Sequence, residues 1–176
     1  MDWFNEPTEW SEADGVLSFE VEPDTDCWRI TDHGFVKDDA HASLRTVEGD
    51  FTATAAVRGD YGDQYDQAGL LVRESPATWL KCGVELVDGE QYASAVVTRG
   101  ESDWSVVPLD GDPPVLWIRV ERRDATVEVS YSLDGESFTM IRKATLSDAG
   151  ELRVGPMGAA PEGDGFTVTV ESFSVE

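Results

Sequence analysis

The middle of the chain alternates apolar and polar residues with a period of two, the pattern of strands that bury one face. The runs Tyr65–Arg73 and Trp79–Val87 each place aliphatic side chains on one face. Glycine, aromatic and charged residues occupy the other face. The same alternation continues through later runs and predicts a core that contains Leu70, Val72, Val84, Leu86, Ile118, Val120, Val127 and Val129.

Two short loops set the pairing of these strands. The first loop carries a proline, and the simplest hairpin across it pairs Arg73 with Trp79. This register places Gly69 opposite Gly83. The second loop is Asp88-Gly89, a strong two-residue hairpin signal, and it adds a third antiparallel strand.

The polar face of the three strands is predicted to have a low floor with polar and aromatic walls. Gly69, Gly83 and Ser94 form the floor. Glycine inside a strand marks a bend in the sheet, or a place where another group approaches the backbone closely, and both interpretations stay open. The candidate ligand-binding residues on and around this floor are Trp28, Tyr65, Gln67, Gly69, Trp79, Lys81, Gly83, Glu85, Tyr92, Thr98 and Trp104.

The rest of the chain predicts an all-β fold in one domain, residues 1–176. No window of twelve residues shows a helical period, and turn signals recur every 8–12 residues, which is typical of a sandwich or barrel. A two-sheet jelly-roll sandwich with a concave face fits best. The irregular, acid-rich segment Asp24–Ala40 is predicted to be a loop that crosses the open side of a sheet.

Composition limits the partners and the compartment. The chain has 36 Asp and Glu against 13 Lys and Arg, a net charge of −23, which argues against nucleic acid as a partner. Acids spread along the whole chain favour a halophilic cytosol, because high salt screens their mutual repulsion. The sequence shows no signal peptide and no apolar run that could cross a membrane, so we expect a cytoplasmic protein.

Several motifs resemble one known family. The runs YDQAGLLVR, WLKCGVE and VVTRGESDW, preceded by DCWRITDHGF and followed by SLDGESF, IRKA and VGPM, resemble concanavalin A-like domains of unknown function. The yeast members of that family are named for regulation of enolase. The resemblance covers nearly the whole chain and implies a jelly roll of the legume lectin and glucanase type. It implies no catalytic residues.

Catalysis at the polar face has weak support. A glycosidase needs two carboxylates on either side of the scissile bond, and the strands provide only Glu85. A second acid could come from Asp24–Asp39, so a glycoside hydrolase using Glu85 stays an alternative. Lys81 could act as a nucleophile or base, but a structural ion pair explains it more simply.

Metal and cofactor motifs are weak or absent. Asp60, Asp63 and Asp66 have oxygen-ligand spacing without the loop of a calcium-binding hand, so we interpret them as a solvated loop. The two histidines, His33 and His41, stand apart from any zinc-like cluster and are expected at the surface or on a lid. The cysteines Cys27 and Cys82 are expected to be buried free thiols. We therefore expect no cofactor and no metal.

The functional prediction is a non-catalytic binding module whose groove takes a carbohydrate or similar polyol. Sugars stack their apolar ring faces on aromatic side chains and need fixed donors and acceptors for their hydroxyls. A protein that docks a metabolic enzyme of glycolysis through the same aromatic patch is the alternative from another class.

Overall fold

The first of two large sheets contains the strands that the alternating pattern predicts. The computed structural model describes residues 1–176 and is built from strands and turns alone. In spatial order the first sheet contains β1 (Asp2–Phe4), β6 (His41–Glu48), β15 (Glu151–Ala159), β8 (Gln67–Ser75), β9 (Thr78–Val87), β10 (Glu90–Arg99) and β11 (Glu101–Pro108).

The second sheet also has seven strands, and every strand pairing in the fold is antiparallel. Antiparallel sheets commonly pack one face against a core and leave the other free. In spatial order this sheet contains β14 (Thr139–Thr145), β13 (Thr126–Ser132), β12 (Leu116–Arg123), β7 (Phe51–Gly59), β16 (Phe166–Val175), β3 (Val16–Val21) and β2 (Trp10–Ala13).

The main core lies between the two sheets. Residues at every second position of β8, β9 and β10 face the apolar residues of β7, β12 and β16, so that both sheets bury one face. All eight core residues named from the sequence are at most 8% exposed. The predicted all-β two-sheet jelly-roll sandwich is therefore confirmed. The structure contains no helix that is long and apolar enough to cross a lipid bilayer.

A small hairpin lies on the outer face of the first sheet, the face turned away from the core. Its strands, β4 (Cys27–Arg29) and β5 (Val36–Asp38), pair only with each other. We call the segment Asp24–Ala40 the covering hairpin. Its position agrees with the prediction that this irregular segment crosses a sheet.

Candidate functional site

The strand register has the residue pairings that the sequence predicts for the polar face of β8, β9 and β10. Gly69 lies opposite Gly83, and Ser94 lies on the other side of Gly83. Trp79 pairs with Arg73 on one neighbouring strand and with a threonine on the other. The predicted pairings Gln67 with Glu85, Leu71 with Lys81 and Thr98 with Trp79 are all present.

The covering hairpin is fastened to this face by two ion pairs. The Lys81 ammonium donates to Asp26 Oδ1 at 2.5 Å, and the side chains of this pair are 4% and 11% exposed. The Arg73 guanidinium donates to both carboxylate oxygens of Asp38, at 2.8 and 2.7 Å. Such a bidentate pair fixes geometry as well as adding energy. The hairpin is therefore held at both of its strands.

A third attachment joins the hairpin to β11. The backbone N–H of Arg29 donates to the Ser102 hydroxyl at 3.0 Å, and the Thr31 hydroxyl donates to the Ser102 carbonyl at 2.5 Å. The Ser102 hydroxyl also lies 2.8 Å from that of Thr98. Thr98 is therefore a buried connection beneath the hairpin, with none of its surface exposed.

Beneath the hairpin lies a second apolar cluster that contains Trp79. The indole of Trp79 is 0% exposed and packs among Leu71, Val96 and Met157 of the sheet and Cys27 of the hairpin. Trp28, half-buried, packs against the same cluster. In this conformation Trp79 acts as a packing residue and cannot stack on a ligand from solvent.

The two glycines of the floor are explained by contact between neighbouring backbones. A Cβ added at Gly69 would lie 1.9 Å from the Cys82 carbonyl oxygen, and one added at Gly83 would lie 2.0 Å from that of Ala68. No side chain can occupy either position without moving the strands. Close approach of the two strands, and not room for a ligand, accounts for these glycines.

The other end of the face is open to solvent, and we call it the open corner. It consists of Tyr65, Glu85, Tyr92, Ser94 and Trp104. The Trp104 side chain is 40% exposed, and the Tyr65 ring meets it edge-on with centroids 6.2 Å apart and planes at 83°. Aromatic groups reach solvent here beside polar ones, which they do not do beneath the hairpin.

Hydrogen bonds hold the polar groups of the open corner in place. The Trp104 Nε1–H donates to Glu85 Oε2 at 2.8 Å and to the Ser94 hydroxyl at 3.3 Å. Tyr65 precedes β8 in a left-handed backbone conformation, and its carbonyl accepts from the Gln67 side-chain amide at 3.0 Å. Hydrogen bonds therefore orient Trp104, Glu85 and Ser94 relative to one another.

Burial dominates the electrostatics of the only acid among the predicted site residues. Glu85 is 5% exposed, and this burial raises the pKa of its carboxyl above the ordinary value. The positive charge of Lys81 and the hydrogen bonds from Ser94 and Trp104 act in the opposite direction but do not outweigh it. Lys81 itself pairs with Asp26 of the hairpin.

A cavity lies next to the open corner. Its volume of about 10 Å³ matches the room that one water molecule needs. Its polar lining comes from Gln67, Lys81 and Ser94, and Gly83 and Met157 also line it. The cavity can accept one hydroxyl-sized group, whereas a whole sugar ring does not fit.

The remaining candidates from the sequence lie outside this site. The Asp66 carboxylate is buried and accepts from the backbone N–H groups of Gly62 and Asp63, both at 2.9 Å. No group of three or more His, Cys, Asp or Glu side chains converges closely enough to hold a metal ion. Asp66 instead organises its own loop.

Both cysteines are buried free thiols, as expected. Burial raises the pKa of Cys27 to about 12 and that of Cys82 further, so neither is a reactive thiolate. His33 lies on the covering hairpin, stacked on Phe35. The expectation of a surface or lid position is wrong for His41, which is 3% exposed because its ring bonds to the Asn5 carbonyl and the Glu22 N–H.

Sequence reasoning missed the residues that fasten the covering hairpin. Asp26, Asp38, Arg73 and Ser102 were not among the candidates. A charge signal existed, because Asp26 and Asp38 flank the segment Cys27–Lys37 and Arg73 and Lys81 lie on facing strands. The sequence contains nothing that pairs particular members of the two groups.

A second cleft, of about 320 Å³, lies between the edges of the two sheets. Its walls include Trp3 and Trp10, whose ring centroids are 5.5 Å apart, and the carboxyl groups of Glu6 and Glu12. Trp10 is 45% exposed, similar to Trp104. Trp10 is therefore an aromatic residue of similar exposure to Trp104 that lies away from the open corner.

The fold and site define an all-β two-sheet sandwich with a partly covered outer face, and comparison with known proteins gives its family. Residues 3–176 match the family described as "Protein of unknown function (DUF1349)", and the chain belongs to that family. It is 35% identical over 173 residues to Regulation of enolase protein 1 of Saccharomyces cerevisiae, covering 98% of this chain and 87% of the relative.

Solved structures agree with this assignment. A functionally unknown protein from Saccharomyces cerevisiae superposes with a TM-score of 0.95 at 34% identity, covering 99% of this chain and 95% of that one. A GH43 protein of Bacillus licheniformis gives 0.74 at 16% identity, covering 97% of this chain and 35% of that one. The carbohydrate binding module CBM66 of Bacillus subtilis gives 0.61 at 13%, covering 99% and 94%. These last two share the fold with our chain.

Proposed function

We propose that this protein is a non-catalytic module that binds a carbohydrate or similar polyol at the open corner. The observation that carries the proposal is the placement of the exposed Trp104 indole beside the buried Glu85 carboxylate, which it also holds by a hydrogen bond. An exposed indole provides a flat apolar surface for a sugar ring. The carboxylate, the Ser94 hydroxyl and the Tyr92 phenol provide partners for hydroxyls.

The carbohydrate class is supported by the fold neighbours as well as by the corner. One of them is a carbohydrate binding module, and another is a GH43 protein in which this fold makes up about a third of the chain. Both likenesses concern the fold alone. In this proposal the protein acts in the cytoplasm, where a soluble oligosaccharide or polyol would be its ligand.

Binding without hydrolysis follows from the carboxylates of the corner. Glycoside hydrolysis uses two carboxylates on opposite sides of one bond. Asp26, the acid that the hairpin brings towards Glu85, is paired with Lys81, and its side chain is only 11% exposed. Glu85 therefore serves as a hydrogen-bond partner in the proposed complex.

Calorimetric titration with xylo-, cello- and maltohexaose tests the proposal. We expect millimolar or tighter binding of at least one, and a loss of roughly 10-fold or more in Trp104→Ala, since burying an indole contributes about 1.5–3 kcal/mol. Trp10→Ala is the matched control, an equally exposed indole in the other cleft, and it should bind like the parent. If the intact protein binds none of the three hexaoses, the proposal is wrong.

A second candidate function is docking of a metabolic enzyme, favoured by the exposed tip of the covering hairpin. Ile30, Phe35 and Val36 are 36–48% exposed, and His33 stacks on Phe35 with centroids 5.3 Å apart. The name of the yeast relative points to enolase as the protein to try. Sedimentation of the purified protein with enolase tests this function: absence of a complex with the parent would contradict the function, and a complex that persists in Phe35→Ser with Val36→Ser would contradict the hairpin tip as the docking surface.

A further inference from the structure

The covering hairpin forms a barrier across the outer face of the first sheet. At one side, the Thr25 N–H donates to the Ala160 carbonyl at 3.2 Å, and the Ala160 N–H donates back to the Thr25 hydroxyl at 3.1 Å. In the middle Asp26 is bound to Lys81 on β9, and at the far side the hairpin is bound to Ser102 on β11. The barrier therefore extends from the end of β15 to the edge strand β11.

The hairpin that forms this barrier is tightly packed, so displacing it from the sheet costs several kcal/mol. Opening it would expose Trp79 and Cys27, both 0% exposed, and would leave the Lys81 ammonium without its carboxylate. Exposure of one such large apolar side chain alone costs about 1.5–3 kcal/mol. A ligand at the open corner therefore meets a fixed wall on one side.

The cavity lies where the open corner meets this wall. Lys81 uses one of its three donors on Asp26, and Gln67 uses its amide N–H on the Tyr65 carbonyl, so that further donors and an acceptor remain near the cavity. The Ser94 hydroxyl lines both the cavity and the corner. A single hydroxyl that enters from the corner would find partners of both kinds.

We infer that the open corner recognises the end of a sugar chain, with one terminal hydroxyl in the cavity and the terminal ring against Trp104. The inference rests on the proposed function and names the part of the ligand that the site selects. A linear chain cannot continue through the packed hairpin, so a chain that points at the hairpin brings its terminal hydroxyl to the cavity, whereas an internal unit would have to present a side hydroxyl with its chain running along the hairpin. An open groove would instead bind internal units and gain contacts with every added residue.

End-modified hexaoses test the inference by calorimetry. Each of xylo-, cello- and maltohexaose is compared with a form methylated at the 4-hydroxyl of its non-reducing end and with a form reduced to the alditol at its other end. For a hexaose that binds, we expect exactly one modification to weaken binding at least tenfold. Shortening that hexaose to the disaccharide should change the affinity less than about threefold.

The outcomes separate the two proposals. If both modified forms bind like the parent hexaose and affinity rises steadily with length, internal units are recognised and the inference is wrong, while the proposed function stands. If no hexaose binds the intact protein, the proposed function itself fails and the inference with it.

A variant tests the role of the cavity. Ser94→Val replaces the hydroxyl with a methyl group and adds a second methyl group, which fills the cavity and removes a hydrogen-bond partner, and we expect at least tenfold weaker binding of the unmodified hexaose. Trp10→Ala serves again as the control, and a cooperative melt within a few degrees of the parent shows that Ser94→Val is folded. Parent-like binding by a folded Ser94→Val would overturn the placement of a hydroxyl in the cavity. If Ser94→Val does not fold, Ser94→Ala, which leaves the hydroxyl's place empty, decides the same point by weaker or parent-like binding.

Discussion

Replacing Lys81 with Met should loosen the covering hairpin selectively. The change leaves the Asp26 carboxylate, 11% exposed, without its cation, and breaking one half of a buried pair costs about 3–5 kcal/mol. For a chain of this size that corresponds to a fall in Tm of roughly 6–20 °C. Replacing Arg58, whose pair with Glu171 is about half exposed, should cost less than about 1 kcal/mol.

The labelling rates of the two thiols show whether the hairpin opens separately from the sandwich. Cys27 lies under the hairpin and Cys82 between the sheets, and both are buried in the native state. If the hairpin opens as a local unit, Cys27 should react with a thiol reagent faster than Cys82 in the parent and in Lys81→Met, because local opening costs less free energy than global unfolding, and a loss of about 3 kcal/mol from the closed state should speed labelling of Cys27 roughly 150-fold. Mass spectrometry of the labelled peptides measures both rates in one sample.

A double-variant cycle tests the physical reason. Asp26→Asn combined with Lys81→Met removes both charges and keeps a side chain that can accept from the Cys27 N–H. We expect the loss of unfolding free energy in this double variant to be smaller than the sum of the two single losses by at least about 2 kcal/mol. Additive losses, or equal labelling rates of Cys27 and Cys82 in the parent and in Lys81→Met, would refute the view that this ion pair holds an element that opens separately.

Three further changes test the fold, the carboxyl and the charge. Trp79→Ala should cost about 3–5 kcal/mol of unfolding free energy in denaturant titrations, whereas Trp104→Ala should cost less than about 1 kcal/mol, and equal losses would contradict the assignment of Trp79 to packing. Because burial raises the Glu85 pKa above its ordinary 4.5, the native state binds the carboxyl proton more tightly than the unfolded state does. Protonation of Glu85 therefore stabilises the native state below pH 4.5, and this stabilisation is lost as the pH rises through the native pKa. The Tm of Glu85→Gln should therefore gain on that of the parent from pH 4.5 to 7, and a constant difference would count against it. With a net charge of −23, Tm should climb between dilute buffer and multimolar KCl, and a maximum in dilute buffer would exclude the halophilic expectation.

The strand pairing could be predicted because local signals determine it. The Asp88-Gly89 turn and the short proline loop before Thr78 each leave one simple register, and the structure has that register in both hairpins. Alternation then assigns every residue of β8, β9 and β10 to a face. These signals act over a few residues, which is why a single sequence contains them.

The alternation could not predict which part of the polar face is covered by another segment of the chain. Trp79 and Trp104 both fall on the polar face by parity, yet one is completely buried and the other is 40% exposed. The difference arises from long-range contacts of the covering hairpin, which has no regular period of its own. β15 is hard to find from the sequence for a related reason, since the dipeptide Gly155-Pro156 is typical of a turn but lies paired inside the sheet.

The buried Lys81 also affects how the protein can be attached to a surface. The chain has only three lysines, of which Lys81 is enclosed and Lys37 is held by Asp24 at 2.7 Å. Lys143, on β14 of the second sheet, pairs with Glu128 at 3.1 Å, but its side chain is 62% exposed against 29% for Lys37. Apart from the N-terminal amine, coupling through amines should therefore occur mainly at Lys143 and leave the molecules in a common orientation, with the first sheet's outer face free.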